Sequence, residues 1–164
     1  MQIFSKELLF AADDLHGVKE YTSPGVYSFK LTRRTTARII ILSSGVNRSK
    51  TGSTWYPGYS GILWIARVRL NSGIYSVKVG DIGTGLEPDT INSYLKDKND
   101  VKLIDCYARK TSSSLEIIYG SVEQEFLQNA SSGSNGGASP YMGYGKGSDA
   151  NVSNATSGYF KIEW

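Results

Sequence analysis

Cysteine, histidine and proline are scarce in this 164-residue chain, which has one Cys, one His and four Pro. A single thiol, Cys106, excludes an internal disulfide and with it a disulfide-stapled secreted scaffold. It sits in Val101-Lys102-Leu103-Ile104-Asp105-Cys106-Tyr107-Ala108, on the same strand face as Ile104 and Ala108. That placement predicts a buried, inert thiol, because no His or cationic partner is there to activate it. The only imidazole is His16, and the chain has no GxSxG elbow. A Ser-His-Asp or Cys-His machinery would rest on that one residue, so a non-enzymatic chain is expected. Metal ligands at coordinating spacing are also lacking. Asp13-Asp14 and the group Asp81, Glu87 and Asp89 are weak calcium patterns, and neither a metal nor another cofactor is expected.

Long apolar runs are missing too. No stretch approaches the roughly eighteen apolar residues of a membrane span. The apolar run Leu8 to Ala12 lies between Glu7 and Asp13-Asp14, which is no signal peptide. The expectation is a soluble protein made without a signal peptide, reaching the virion or the outside of a cell by lysis or assembly, with no membrane partner. The charges nearly balance, 18 Lys and Arg against 15 Asp and Glu for a net +3. The cations are scattered apart from Arg33-Arg34 and the pair Arg67 and Arg69. Without a clustered basic face, no nucleic-acid partner is expected. Four Asn-X-Ser/Thr triplets, starting at Asn47, Asn129, Asn151 and Asn154, are chance matches in a chain this rich in Asn and Ser.

What is abundant is glycine and tyrosine, 18 and 11 residues. That composition suits many short strands joined by tight turns. Tyr27, Phe29 and Leu31 alternate with Ser28 and Lys30 after the turn signal Ser23-Pro24-Gly25, the period-2 signature of a half-buried strand. Ala37 to Leu42 is too short for a typical helix and rich in β-branched residues, so it reads as a central strand covered on both faces. Ile62 to Leu70 and Ile74 to Val79, joined by Asn71-Ser72-Gly73, read as a hairpin closed by a left-handed glycine. In that hairpin Trp64, Ala66, Val68 and Leu70 share one apolar face, and Tyr75, Val77 and Val79 another.

Leu115, Ile117 and Tyr119 alternate in a further strand, and residues 89 to 98 fit one or two helical turns. Ser121-Val122-Glu123-Gln124 has the form of a capping box and predicts a short helix up to Asn129. The closing strand puts Phe160, Ile162 and Trp164 on one face. Residues 5 to 16 fit both a helix ending at Gly17 and a buried strand at Leu8-Leu9-Phe10, and that alternative stays open. The expected fold class is all-β: an antiparallel β-sandwich with glycine-rich loops and at most one or two short helices. The length fits one domain, 1–164, with a glycine- and serine-rich loop region at 131–157 inside it.

The glycines do not form phosphate cradles. Gly80, Gly83 and Gly85 lack the GxGxxG spacing. Around Gly145-Lys146, Pro140 stands where a phosphate loop needs its first glycine and Gly147 where it needs Ser or Thr. They read instead as turn and backbone-approach positions. No pair of carboxylates is singled out for glycoside hydrolysis.

The order of elements resembles the glycine-rich domains of bacteriophage tail-fibre and receptor-binding proteins. The residues that carry the resemblance are Pro24-Gly25-Val26-Tyr27-Ser28-Phe29, the strand Ala37 to Leu42, Gly58-Tyr59-Ser60-Gly61, the arm Ser72 to Gly80, Gly143-Tyr144-Gly145-Lys146-Gly147 and Ser157 to Ile162. It implies a non-enzymatic virion structural or host-receptor-binding module, a homotrimer that contacts other virion proteins. Members of that family usually carry long glycine runs, whereas here only Gly136-Gly137 are adjacent. A glycine-lattice mode of recognition is therefore not carried over. The alternative is a free-standing bacterial carbohydrate-binding β-sandwich module.

One segment stands out as a ligand site under either reading. Ser53-Thr54-Trp55-Tyr56-Pro57-Gly58-Tyr59 concentrates three rings in a loop without aliphatic residues. Such rings are either tucked under a sheet edge, the favoured reading for residues that lose much by exposure, or presented to a partner. If they are presented, Trp55, Tyr56 and Tyr59 form a stacking platform for host-surface glycan, with the hydroxyls of Tyr141 and Tyr144 as hydrogen-bonding candidates.

Overall fold

A computed structural model describes residues 17–83, 88–107, 114–117, 122–131, 137–149, 151 and 153–164. The opening segment with Asp13-Asp14 and His16, as well as Glu87, Ala108 and Tyr119, lie outside the described residues. In chain order the strands are β1 (Val18–Tyr21), β2 (Gly25–Leu31), β3 (Thr35–Leu42), β4 (Ser49–Thr51), β5 (Thr54–Tyr56), β6 (Leu63–Leu70) and β7 (Gly73–Val79). One helical turn, α1 (Pro88–Ile91), precedes β8 (Ser93–Lys96), β9 (Lys102–Tyr107), β10 (Ser114–Ile117), β11 (Val122–Gln128) and β12 (Tyr159–Glu163).

Two antiparallel sheets pack face to face as an all-β sandwich. The first has the order β1-β12-β3-β6-β11 and the second β10-β9-β8-β7-β2, while β4 and β5 pair only with each other. The alternation read from the sequence is what fills the space between the sheets. Ala37, Ile39, Trp64, Ala66, Val68, Phe160 and Ile162 from the first sheet meet Phe29, Leu31, Tyr75, Val77, Val79, Leu95 and Ile104 from the second.

Cys106 is buried in the same core and donates its S–H to the Ile62 carbonyl at 3.1 Å. Burial pushes its pKa up to about 12, so the thiolate needed for reaction is scarce at neutral pH. A disulfide reagent such as Ellman's should label one thiol per chain in denaturant and almost none in the native protein. Rapid native labelling would show that the strand opens readily.

The segment read as a hairpin is not one. β6 pairs with β3 and β11, and β7 pairs with β2 and β8, so the chain crosses from the first sheet to the second at Asn71-Ser72. Both arms do present the apolar faces expected of them, but in a hairpin those faces would lie side by side in one sheet. Placed in opposite sheets they cover each other, which removes more apolar surface from water. Gly73 has φ 158°, near extended backbone rather than the left-handed well near +57°. The capping-box reading also gives way: Val122–Gln128 is an edge strand, and Gln124 Oε1 accepts a bond from Trp64 Nε1 at 3.2 Å. Pairing with β6 satisfies the inner row of its backbone groups and overrides the local four-residue helix signal. Within 89 to 98, one turn is helical up to Ile91 and Ser93–Lys96 forms β8.

The outer face of the first sheet divides into two halves. In one, Arg38 and Arg67 stand opposite each other across β3 and β6. Glu125 bridges them, accepting from Arg38 Nε at 2.7 Å and from Arg67 Nε at 2.9 Å, and these bonds hold its carboxyl below the usual range. In the other half Ile40, Leu42, Leu63 and Tyr159 form a second apolar cluster, covered by Tyr141 and Tyr144. Ile40 and Leu42 are thus covered on the outer face too, as expected of this strand, and that cover comes from the chain's own glycine-rich tail.

At that end of the sandwich, residues 43–48, 57–62, 80–83 and the tail lock together through their backbones. Gly45 N–H donates to Thr156 O at 2.9 Å, Gly58 N–H to Ser148 O at 2.6 Å, Gly61 N–H to Gly145 O at 2.6 Å and Gly158 N–H to Gly80 O at 3.0 Å. Buried serine hydroxyls serve groups that the strands leave over: Ser93 Oγ donates to Leu42 O at 2.7 Å, and Ser43 Oγ accepts from Ile62 N–H at 2.9 Å. A loop can be buried only when its backbone groups are satisfied in this way.

Candidate functional site

The aromatic segment splits into two environments. Its first part forms the β4–β5 hairpin, with Lys50 opposite Trp55 and Ser49 opposite Tyr56. Gly52 takes φ 61° at the first central position of the two-residue loop, where a type II′ turn places glycine. An isolated two-stranded hairpin is marginal in water, and this one is anchored at its base. Val46 N–H donates to Tyr59 O at 2.9 Å, Ser148 N–H donates to Val46 O at 3.1 Å, and Arg48 N–H donates to Ser148 Oγ.

Trp55 and Tyr56 are exposed, each at 43%, against the expectation that the rings tuck under the sheet edge. Tyr59 is partly buried and packs on the main core, as that expectation had it. Successive residues of a strand point to opposite faces, so Trp55 and Tyr56 do not share one platform, and Tyr59 belongs to the base of the hairpin rather than to its surface. The Trp55 ring instead has cations for neighbours. The Arg48 guanidinium lies 4.2 Å and the Lys50 ammonium 5.5 Å from its centroid. Arg48 Nη1 also donates to Asn151 O at 2.6 Å, which ties the ring's neighbour to the tail. Sequence reasoning missed Arg48 and Lys50. The signal available was two cations two residues apart just before the aromatic segment.

Tyr141 and Tyr144 lie on the outer face of the first sheet, their rings each 5.1 Å from that of Tyr159. Tyr159 donates its hydroxyl to Glu20 Oε1 at 2.8 Å, and burial, reinforced by Glu20, raises its pKa. The two tail tyrosines are thus cover for an apolar cluster.

Tyr144 also lines an open depression of about 450 Å³ with Pro24, Ile82, Met142 and Ala155. Tyr141-Met142-Gly143-Tyr144 is a tight turn closed by Tyr144 N–H donating to Tyr141 O at 2.8 Å, with φ 48° at Met142 and 90° at Gly143. Two positive φ values define a type I′ turn, for which Asn-Gly is the favoured pair. Met142 is 77% exposed, so it has little packing to lose. Met142→Asn should stabilise the protein by up to about 1 kcal/mol by relieving the left-handed penalty. A thermal melt should rise by roughly 2–4 °C, and a fall would show that the Met142 side chain has a packing role.

Among the described residues no group of three or more His, Cys, Asp and Glu is placed to hold a metal ion, and no helix is long and apolar enough to cross a membrane. Fold and surface together define an all-β sandwich that carries an anchored, cation-flanked aromatic hairpin. No protein-family model, curated protein or solved structure matches the chain.

Proposed function

We propose that this chain is a non-enzymatic recognition module of the bacteriophage tail-fibre kind, which binds host-surface glycan through the Trp55 hairpin. The observation that carries this reading is the exposure of Trp55 and Tyr56 on a hairpin whose base is pinned into a buried backbone network. Rigid aromatics offer contact area at low entropic cost, and large rings left in water on an ordered element mark interaction surfaces. The order of glycine and strand motifs along the chain supports the tail-fibre part of the proposal. The test is adsorption of the labelled chain to host cells, with soluble surface polysaccharide as competitor. Saturable adsorption that the polysaccharide displaces supports glycan recognition. Adsorption that only protease treatment of the cells removes points to a protein receptor instead.

One observation favours the alternative of a free-standing bacterial carbohydrate-binding module. The apolar outer face of β3 is sealed by Tyr141 and Tyr144 of the same chain, so its need for cover no longer calls for a second copy. Solution mass separates the two: a fibre module should elute as a multiple of the 17.9 kDa chain, most simply a trimer, and a free-standing module as a monomer.

A further inference from the structure

The outer face of the second sheet gathers three lysines around one tyrosine, with two carboxylates beside them, a cluster that neither the core nor the hairpin explains. Across β7, β8 and β9 two rows of side chains lie next to each other. Lys78, Tyr94 and Asp105 are cross-strand partners in one row, and Ser76, Lys96 and Lys102 in the other. The ammonium groups of Lys96, Lys102 and Lys78 lie 5.0, 5.5 and 5.9 Å from the centre of the Tyr94 ring. Like charges directly opposite each other on neighbouring strands destabilise a sheet, and Lys96 stands opposite Lys102.

Beneath the lysines lies a buried polar frame. Asn92 and Asp105 are 3% and 6% exposed. Lys78 Nζ donates to Asn92 Oδ1 at 2.6 Å, Asn92 Nδ2 donates to Asp105 Oδ1 at 2.9 Å, and Lys102 Nζ donates to Asp105 Oδ2 at 2.5 Å. Lys96 Nζ donates to Asp100 Oδ1 at 2.8 Å from the side. Two of the three ammonium groups are therefore held in place by one connected network with a buried Asn92–Asp105 base, the arrangement that pre-organises a binding group.

We propose that this face is a second binding site, for an oxyanion carried on a polysaccharide: a sulfate, phosphate or carboxylate seated among Lys78, Lys96 and Lys102 beside Tyr94. An ammonium has three donors, and an oxyanion offers the charge and the acceptors that complement such a cluster. The site is separate from the Trp55 hairpin and does not depend on it.

The test is a titration of the ¹⁵N-labelled full chain at low salt, followed by NMR, with four probes: heparin tetrasaccharide, hyaluronan tetrasaccharide, glucose 6-phosphate and neutral maltotetraose. The first three distinguish sulfate, carboxylate and phosphate. At least one of them should shift the amides of Lys78, Tyr94, Lys96 and Lys102, while maltotetraose leaves them unmoved, and added salt should weaken the binding. Replacing the three lysines by Gln should weaken it about tenfold or more, whereas replacing them by Arg should retain it and Trp55→Ala should leave it unchanged. The proposal is overturned if no anionic probe moves these amides, if the folded Gln variant binds as well as wild type, or if the shifts map to Arg48 and Lys50. That last result would leave the hairpin reading standing, and loss of host adsorption in Trp55→Ala with the lysine site intact would uphold both.

Discussion

Gly45→Ala should destabilise the chain by about 3 kcal/mol or more, in the upper range for a single substitution, although it adds one methyl group. A Cβ at Gly45 would lie 1.7 Å from the Lys146 carbonyl oxygen and 2.3 Å from its carbon, against the roughly 3.5 Å of an optimal non-bonded contact. The obstacle is backbone, so no rotamer change relieves it. The tail must move away, and in moving it breaks the bond from Gly45 N–H to Thr156 O. It also lifts Tyr141 and Tyr144 from Tyr159, Ile40 and Leu42. Gly58→Ala should behave alike, since its Cβ would lie 1.7 Å from Val46 O. Gly52→Ala supplies the control, because a Cβ there meets nothing within 4 Å and the cost is confined to the turn's φ of 61°. Urea unfolding gives the stabilities, and limited proteolysis shows whether residues 137–158 become accessible first. Near-equal stabilities for Gly45→Ala and wild type would mean that the tail is not docked as described.

Trp55→Ala should abolish adsorption to host cells and surface glycan while moving the melting temperature by only a few degrees. The structural loss is an exposed ring with two cation neighbours, worth about 0.5–1 kcal/mol, which is roughly 2–4 °C for a chain of this size. Trp64 provides the contrast inside the same protein. It is fully buried, packs in the main core and donates its indole N–H to Gln124 Oε1 at 3.2 Å. Trp64→Ala should cost about 3–5 kcal/mol, as truncating a buried Trp does. A stability loss at Trp55 as large as that at Trp64 would place the ring in the core and remove the basis of the glycan reading. Unchanged stability together with unchanged adsorption would leave the fold intact and move recognition to another surface.

Much of the sandwich was readable before any coordinates, because alternation along a strand is a local property. Tyr75, Val77 and Val79 face the core as read, and so do Trp64, Ala66, Val68 and Leu70, Phe160 and Ile162. Cys106 is buried, as its place on one strand face with Ile104 predicted. The candidate site was readable only as a concentration of rings. That Trp55 points outward and Tyr59 inward depends on Gly58 and Val46 meeting the tail some ninety residues further along the chain, which no window of local sequence contains.

Residue order alone therefore determined that this is an all-β chain, which side of each alternating strand is apolar, and that the glycines are positions of close backbone approach. Tertiary structure decided the partners. An apolar face is equally well buried by a neighbour in the same chain segment or by one far away, and the choice falls to whichever pairing removes more surface from water while satisfying every backbone group. For β6 and β7 that choice was two different sheets, with β3 and β2 as neighbours. For Ile40 and Leu42 it was the tail, whose glycines let two backbones approach to distances at which any side chain would collide.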